Sequence, residues 1–341
     1  MTAPVDSDVH AAPPAVAELR PYLGDYWRSY VDECGFAGPA GLAVATPPNA
    51  PTAGVPGGGA TLEALGQHLS SLGASHGVLH CPYGLEGLRN LEFASALATA
   101  VNDWLADQWL DHDDRLRATL LVKAEDAPGA VAEIERRAAD PRFVGVLLPA
   151  RSDRPYGQRA YFPVFEAAAA HGLPVVLHFG GCTGNPPTPV GWPTYYIEEY
   201  VGMVHAFEAQ LTSLVAEGVL QRLADLRIVL AESGFTWLPS IMWRLDKEWK
   251  GLRREIPWVT TAPSALIRRQ VRATVQPVDG PGDPARLRRA VEQLGSEEML
   301  LFASDHPHRH AQHFEEALAG VLEPEHERAI LRGNAVEVFG L

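Results

Sequence analysis

Met299-Leu300-Leu301-Phe302-Ala303 runs straight into Ser304-Asp305-His306-Pro307-His308. The apolar half has the length of a buried strand. The polar half opens with a carboxylate, and an unpaired buried charge is costly, so Asp305 needs a partner. A salt bridge would serve, and so would a metal ion. The same form recurs near the start, in Asp6-Ser7-Asp8-Val9-His10, and in the middle, where Pro174-Val175-Val176-Leu177-His178 precedes Phe179-Gly180-Gly181. Metal-ligating side chains that end strands far apart in sequence predict parallel strands whose carboxyl ends share one mouth. That is the geometry of a (β/α)8 barrel, which places its chemistry at the carboxyl face.

Strand-like runs occupy 5–9, 77–81, 117–122, 143–148, 174–179, 227–232, 271–275 and 299–303. Apolar residues at helical spacing fill 91–110, 129–138, 162–170, 196–223, 264–269 and 284–294. Short apolar runs alternating with amphipathic helices signal parallel βα units. A doubly wound sheet is the rival, but no Gly-x-Gly-x-x-Gly turn follows the first strand. The fold expected is α/β, a (β/α)8 TIM barrel with long loops after strands one and five. A chain of 341 residues suits one such domain over 1–341. The first excursion, 20–70, is expected over the barrel mouth and partly irregular, because 38–59 is rich in Gly, Pro and Ala. The second, 180–198, is stiffened by prolines. Its Trp192, Tyr195 and Tyr196, with Trp237, are the expected walls of a roomy apolar pocket.

Apolar residues make up 46% and charged residues 21%, ordinary for a soluble globule. A net charge of -14 leaves no basic stripe to neutralise phosphates, which argues against nucleic-acid binding. No run approaches ~18 apolar residues, so no membrane span is expected. Cys34, Cys81 and Cys182 are scattered, and no basic-then-apolar leader opens the chain. A reduced, cytoplasmic, bacterial protein is expected.

Asp8 and His10 are two apart and face the same side of a strand, which in a barrel is the interior. His178 ends its strand before glycines that permit close approach. Glu232 closes Arg227-Ile228-Val229-Leu230-Ala231-Glu232 ahead of Ser233-Gly234 and is expected in the same mouth. His205 falls early in the helix after strand five, either over the site or on the helix face. His306, His308, His310 and His313 could donate to the ligands, the last two being more at home on a solvated helix face. Imidazoles and carboxylates without thiolate suit Zn, Fe, Mn or Co. With His205 there are three imidazoles and three carboxylates, enough for two ions. Lys123, Arg151 and Arg154 lie near strand ends, where they either pair a substrate carboxylate or stay solvated.

These residues resemble the amidohydrolase superfamily, and within it amidohydrolase family 2, the branch containing aminocarboxymuconate-semialdehyde decarboxylase. The carriers are Asp6-Ser7-Asp8-Val9-His10, Leu177-His178, Leu230-Ala231-Glu232-Ser233-Gly234-Phe235-Thr236-Trp237-Leu238-Pro239, Ser304-Asp305-His306-Pro307-His308 and Gly333-Asn334-Ala335. The resemblance implies a divalent metal held by Asp8, His10, His178 and Asp305. Typical members begin His-x-His, where this chain has Asp8. They end strand six with a proton-handling histidine, where this chain has Glu232. The bridging ligand of the dinuclear hydrolases is missing from Gly145-Val146-Leu147-Leu148-Pro149. Around Glu232 the chain is similar to a smaller branch, the non-haem di-iron monooxygenases. That likeness includes Arg244-Leu245-Asp246-Lys247-Glu248-Trp249 and Thr274-Val275-Gln276-Pro277.

The leading expectation is therefore a di-iron monooxygenase that hydroxylates a C–H bond of an organic acid or natural-product intermediate. Its irons would be held by Asp8, His10, His178, His205, Glu232 and Asp305, with Glu232 and His205 in catalytic roles. It would be a homodimer, fed electrons by an external reductase or ferredoxin. The alternative is a mononuclear Zn or Mn decarboxylase or hydrolase with Glu232 as general base.

Overall fold

The structure is a computed structural model describing residues 2–39, 59–181, 184–308, 310 and 317–341. Eight strands form one sheet in chain order: β1 (Val5–His10), β2 (His76–His80), β3 (Leu116–Leu121), β4 (Phe143–Pro149), β5 (Val175–His178), β6 (Ile228–Ala231), β7 (Val271–Thr274) and β8 (Leu300–Leu301). Each pairs in parallel with the next. Across the seam, Ser7 N–H donates to Phe302 O at 2.9 Å, Asp305 N–H to Asp8 O at 3.0 Å and His10 N–H to His306 O at 2.9 Å, closing the ring. The (β/α)8 barrel read from the sequence is the observed fold.

The strands are buried along their length, as Val175-Val176-Leu177 and Ile228-Val229-Leu230 require when helices cover one face and barrel contents the other. The longer helices are α1 (Asp25–Cys34), α2 (Leu62–Leu72), α3 (Leu91–Leu105), α4 (Ala127–Arg137), α5 (Phe162–Ala170), α6 (Tyr196–Ala216), α7 (Leu238–Leu252), α8 (Pro263–Gln270) and α9 (Pro284–Glu292). Side-chain oxygens cap several of them. Thr61, Asn90, Asp126 and Asp283 accept from Ala64, Phe93, Gly129 and Arg286 backbone N–H groups.

The first excursion is more regular than expected, since α1 and α2 lie within it. Of its Gly- and Pro-rich stretch, 40–58 lies outside the described residues. The chain returns to the mouth at Ala60, which donates to His10 O at 2.8 Å and accepts from Ala12 N–H at 3.0 Å. Among the described residues, no helix is long and apolar enough to cross a membrane.

Candidate metal centre

Four strand ends converge on one point. β1 carries a bulge between Asp6 and Val9, an irregularity that re-aims side chains. His10 Nε2 lies 3.1 Å from Asp8 Oδ1, 3.1 Å from Glu232 Oε1 and 2.9 Å from Asp305 Oδ1. His178 Nε2 lies 3.1 Å from Glu232 Oε1 and 3.6 Å from Asp8 Oδ1. Both Asp8 oxygens, Glu232 Oε1 and the Nε2 atoms of His10 and His178 are buried without a well-formed hydrogen bond. Buried polar atoms are almost always hydrogen-bonded. Five orphans facing one another are what a cation would satisfy, and the nitrogen and oxygen donor set suits a divalent transition metal. Asp8, His10, His178 and Glu232 form one compact ligand group; His10, Glu232, Asp305 and His308 form a second that overlaps it.

Both carboxylates after their strands sit in the left-handed region, Glu232 at φ 57° and Asp305 at φ 58°. Among the described residues they are the only non-glycines with positive φ, a strain typical of functional sites. Glu232 N–H donates to Thr274 Oγ1 at 3.0 Å. Before Asp305, the Ser304 N–H and hydroxyl both donate to buried Asp6, at 2.9 and 2.6 Å. His178 Nδ1 bonds Phe179 O at 2.8 Å, which makes Nδ1 the donor and aims Nε2 at the cluster, where it would offer its lone pair to an ion on losing its proton. Asp305 is also met by His308 Nδ1 at 2.8 Å and His310 Nε2 at 2.6 Å.

Electrostatics favours charge here against the cost of burial. Burial pushes the Asp8 and Asp305 carboxyls up, yet facing histidines hold both well below the usual range. Glu232 falls to about 2 despite burial and Asp305, because His178 and His10 face it. Burial lowers His178, but Glu232 and Asp8 bring it up to about 10. His10 is raised well above the ordinary value by Asp8, Asp305 and Glu232, against burial. Without an ion, these directions favour protonated imidazoles at His10 and His178 facing ionised carboxylates. A divalent ion is the natural substitute for the two protons.

The structure gathers Asp8, His10, His178, Glu232 and Asp305 as the sequence implied. It does not bring His205 to them: that residue is exposed on α6 and belongs to neither ligand group. One helical face cannot both pack Met203 and Phe207 on the barrel and lean His205 over the mouth. His310, expected on a solvated face, instead bonds Asp305, while His313 lies outside the described residues. Among the expected pocket walls, Trp192 and Tyr195 are exposed. Trp237 is buried, with its Nε1–H on Ser233 O at 3.0 Å. Tyr196 lies within the field of Glu232 and Asp305, as does Tyr200, which packs on Phe179 with ring centroids 5.2 Å apart. Lys123 is buried against Glu125 at 3.1 Å, Arg151 against Glu199 at 3.4 Å, and Arg154 is exposed. Sequence reading passed over His80 at the end of β2, although Val78-Leu79-His80 has the form of Val176-Leu177-His178. It also passed over Asp6 and over His68, which meets Ser304 Oγ at 2.9 Å and stacks on His306.

Residues 5–341 match the Amidohydrolase family. The gamma-resorcylate decarboxylase of Polaromonas sp. (strain JS666 / ATCC BAA-500) is 26% identical over 271 residues, 73% of this chain and 77% of that protein. A dihydroxybenzoic acid decarboxylase from Polaromonas sp. JS666, solved with manganese and 2-nitroresorcinol, superposes with a TM-score of 0.69 at 19% identity, covering 100% of this chain and 98% of that one. The 5-carboxyvanillate decarboxylase of Novosphingobium aromaticivorans, solved with manganese, gives 0.73 at 17% identity, covering 100% and 96%. At such identities the two structures establish the likeness of fold alone.

These findings correct the oxygenase expectation. The sequence relative is a decarboxylase, so the readings of di-iron centre, monooxygenase and oxidoreductase fall, and the need for an electron donor falls with them. The run that suggested them has structural work to do. Asp246 accepts from Ser264 N–H and Oγ–H at 2.9 and 2.7 Å at the start of α8, and Trp249 Nε1–H donates to Val259 O at 3.0 Å. Those bonds set the α7–α8 connection rather than any oxygen chemistry. From its match along nearly the full length, this chain belongs to the amidohydrolase family.

Proposed function

We propose that the protein decarboxylates a hydroxylated aromatic acid with a single manganese ion, held by Asp8, His10, His178 and Asp305. The observation that carries this reading is the convergence at the barrel mouth of the orphaned Asp8 oxygens and the orphaned His10 and His178 Nε2 atoms, with Asp305 Oδ1 2.9 Å from His10 Nε2. The decarboxylase relative and the manganese in the two solved structures support the choice of reaction and metal. Bound there, manganese would supply Lewis acidity toward the substrate's carboxylate and hydroxyl oxygens.

The chain's own residues account for the rest. Phe179, Tyr196 and Tyr200 form an aromatic border beside the cluster, with centroids 5.2 Å apart for Phe179–Tyr200 and 5.8 Å for Tyr196–Tyr200. Such a border suits the faces of an aromatic ring. Loss of carbon dioxide leaves a ring carbon that must take a proton. Glu232 is the carboxylate left over once four ligands are assigned. Being ionised, it would take the proton of the substrate's phenolic hydroxyl and pass it to the ring carbon, the resulting phenolate then taking a proton from solvent. The test uses the full chain loaded with Mn2+ and offered 2,6-dihydroxybenzoate, 5-carboxyvanillate and related hydroxybenzoates. Carbon dioxide release that stops on chelation and in Asp305→Ala is expected. A protein holding one manganese per chain that converts none of the panel overturns the proposal.

A further inference from the structure

We infer that His80 is a positioning residue that aims Asp8 at the metal by pinning the bulge in β1. The inference rests on the metal-binding part of the proposed function, not on the reaction. His80 is fully buried at the end of β2. Its Nδ1 lies 2.8 Å from Thr119 Oγ1, and its Nε2 lies 3.2 Å from Ser7 O and 3.8 Å from Asp8 Oδ1. Its ring centroid is 5.4 Å from that of His178 and 6.4 Å from that of His10, so it stands behind the cluster, outside both ligand groups.

The partners assign the tautomer. Ser7 O and the Asp8 carboxylate can only accept, so Nε2 carries the hydrogen. Nδ1 then accepts from the Thr119 hydroxyl, whose other acceptor, Leu79 O, is farther away at 3.4 Å. The bulge explains the need. Between Asp6 and Val9, β1 has one residue more than the facing stretch of β2, so its backbone leaves the regular ladder there. A buried carbonyl outside the ladder needs a donor. His80 supplies one to Ser7 O, which fixes the peptide that carries Asp8. With that peptide fixed, both Asp8 oxygens stay directed at the cluster. The fixed ring, held from β3 by Thr119, keeps that direction precise enough for coordination.

The experiment measures the Mn2+ dissociation constant of the full chain by calorimetry, for wild type, His80→Leu, His80→Gln and Thr119→Val, each checked for native circular dichroism. Second-sphere hydrogen bonds of this kind change metal affinity by about 10- to 100-fold. His80→Leu is expected to bind more weakly by about that factor. His80→Gln keeps an N–H near the Nε2 position, so it should stay within a few-fold of wild type. Thr119→Val, which frees the ring, should fall between them. Unchanged affinity in a folded His80→Leu overturns the inference, as does equal weakening by Leu and Gln. Should His80→Leu not fold, unchanged affinity in Thr119→Val overturns it instead. Wild type that binds no Mn2+ would refute the metal-binding reading itself, a result distinct from either.

Discussion

Glu232 Oε1 is 3.1 Å from the Nε2 atoms of both His10 and His178, close enough to be a fifth ligand and placed well enough to be a proton carrier. Glu232→Gln keeps the shape and removes the titrating group. As the proton carrier, its loss should lower kcat by about 10²–10⁴-fold, with manganese content unchanged. Metal analysis beside turnover decides the matter: a variant that loses its manganese makes Glu232 a ligand and ends its assigned role. The histidines give a second expectation. In the metal-free protein His178 is raised to about 10 and His10 well above its ordinary value, so both hold protons at neutral pH. An ion must displace them, so its affinity climbs with pH, by about tenfold per unit for each proton released, and the gain from His178 ends as pH rises through about 10. Calorimetry in buffers of different ionisation enthalpy counts the protons. Zero release across pH 6–8 would contradict the charged cluster.

β8 is only two residues long, so the barrel's seam depends on the segment from Phe302 to His306 and its bonds to β1. Asp6, buried in β1, takes both hydrogen bonds from Ser304 and a third contact from His68 Nε2 at 3.3 Å. Asp6→Ala should cost about 1–3 kcal/mol in urea unfolding, because it leaves the half-buried Ser304 donors without their acceptor. A loss under a few tenths would show that the backbone bonds alone hold the seam. After β5, Gly181 has φ 112° and a Cβ there would lie 2.4 Å from Arg151 O. Gly181→Ala should destabilise by about 1–3 kcal/mol and weaken metal binding by shifting His178, whereas Gly24→Ala, with open space around it, serves as the control. The glycine signal was legible in the sequence, but what approaches Gly181 is backbone, not ligand. The strands were legible because doubly buried β5 and β6 read as unbroken apolar runs. The expected 299–303 strand proved shorter, since Phe302 to Ser304 leave β8's ladder to bond the seam. Helix α1 had a readable stripe in Trp27, Tyr30, Val31 and Cys34, but only Val31 is fully buried and polar residues fill the rest of this short segment. Helix α2 had a readable signal in Thr61 and in Leu65 and Leu69 four apart, lost among the glycines before it.

The proposed ligands come from positions 8 to 305, and no local segment of an unfolded chain can assemble them. The five-residue site was legible because each residue lies in or just after a strand-like apolar run, whereas His80, Asp6 and His68 act through neighbours that only the closed barrel defines. An ion that binds the closed barrel alone must stabilise it by mass action. At free Mn2+ about 100 times its dissociation constant, the gain is about 2.7 kcal/mol. For a chain of 341 residues, whose unfolding entropy scales with length, this amounts to about 4 °C in Tm. The apolar core joins residues from Val5 in β1 to Phe339 near the carboxyl end, so unfolding is expected as one transition that shifts as a unit. Calorimetric scans with Mn2+ and with chelator, in wild type and His178→Ala, separate this linkage from nonspecific salt effects. Wild type should move with metal concentration and the variant should not. Two transitions, only one of them metal-sensitive, would divide the chain into separate units and place the ligands in just one of them. The hydrogen bonds that join β1 to the segment after β8 argue against that outcome, because they tie the two ends of the chain into one ring.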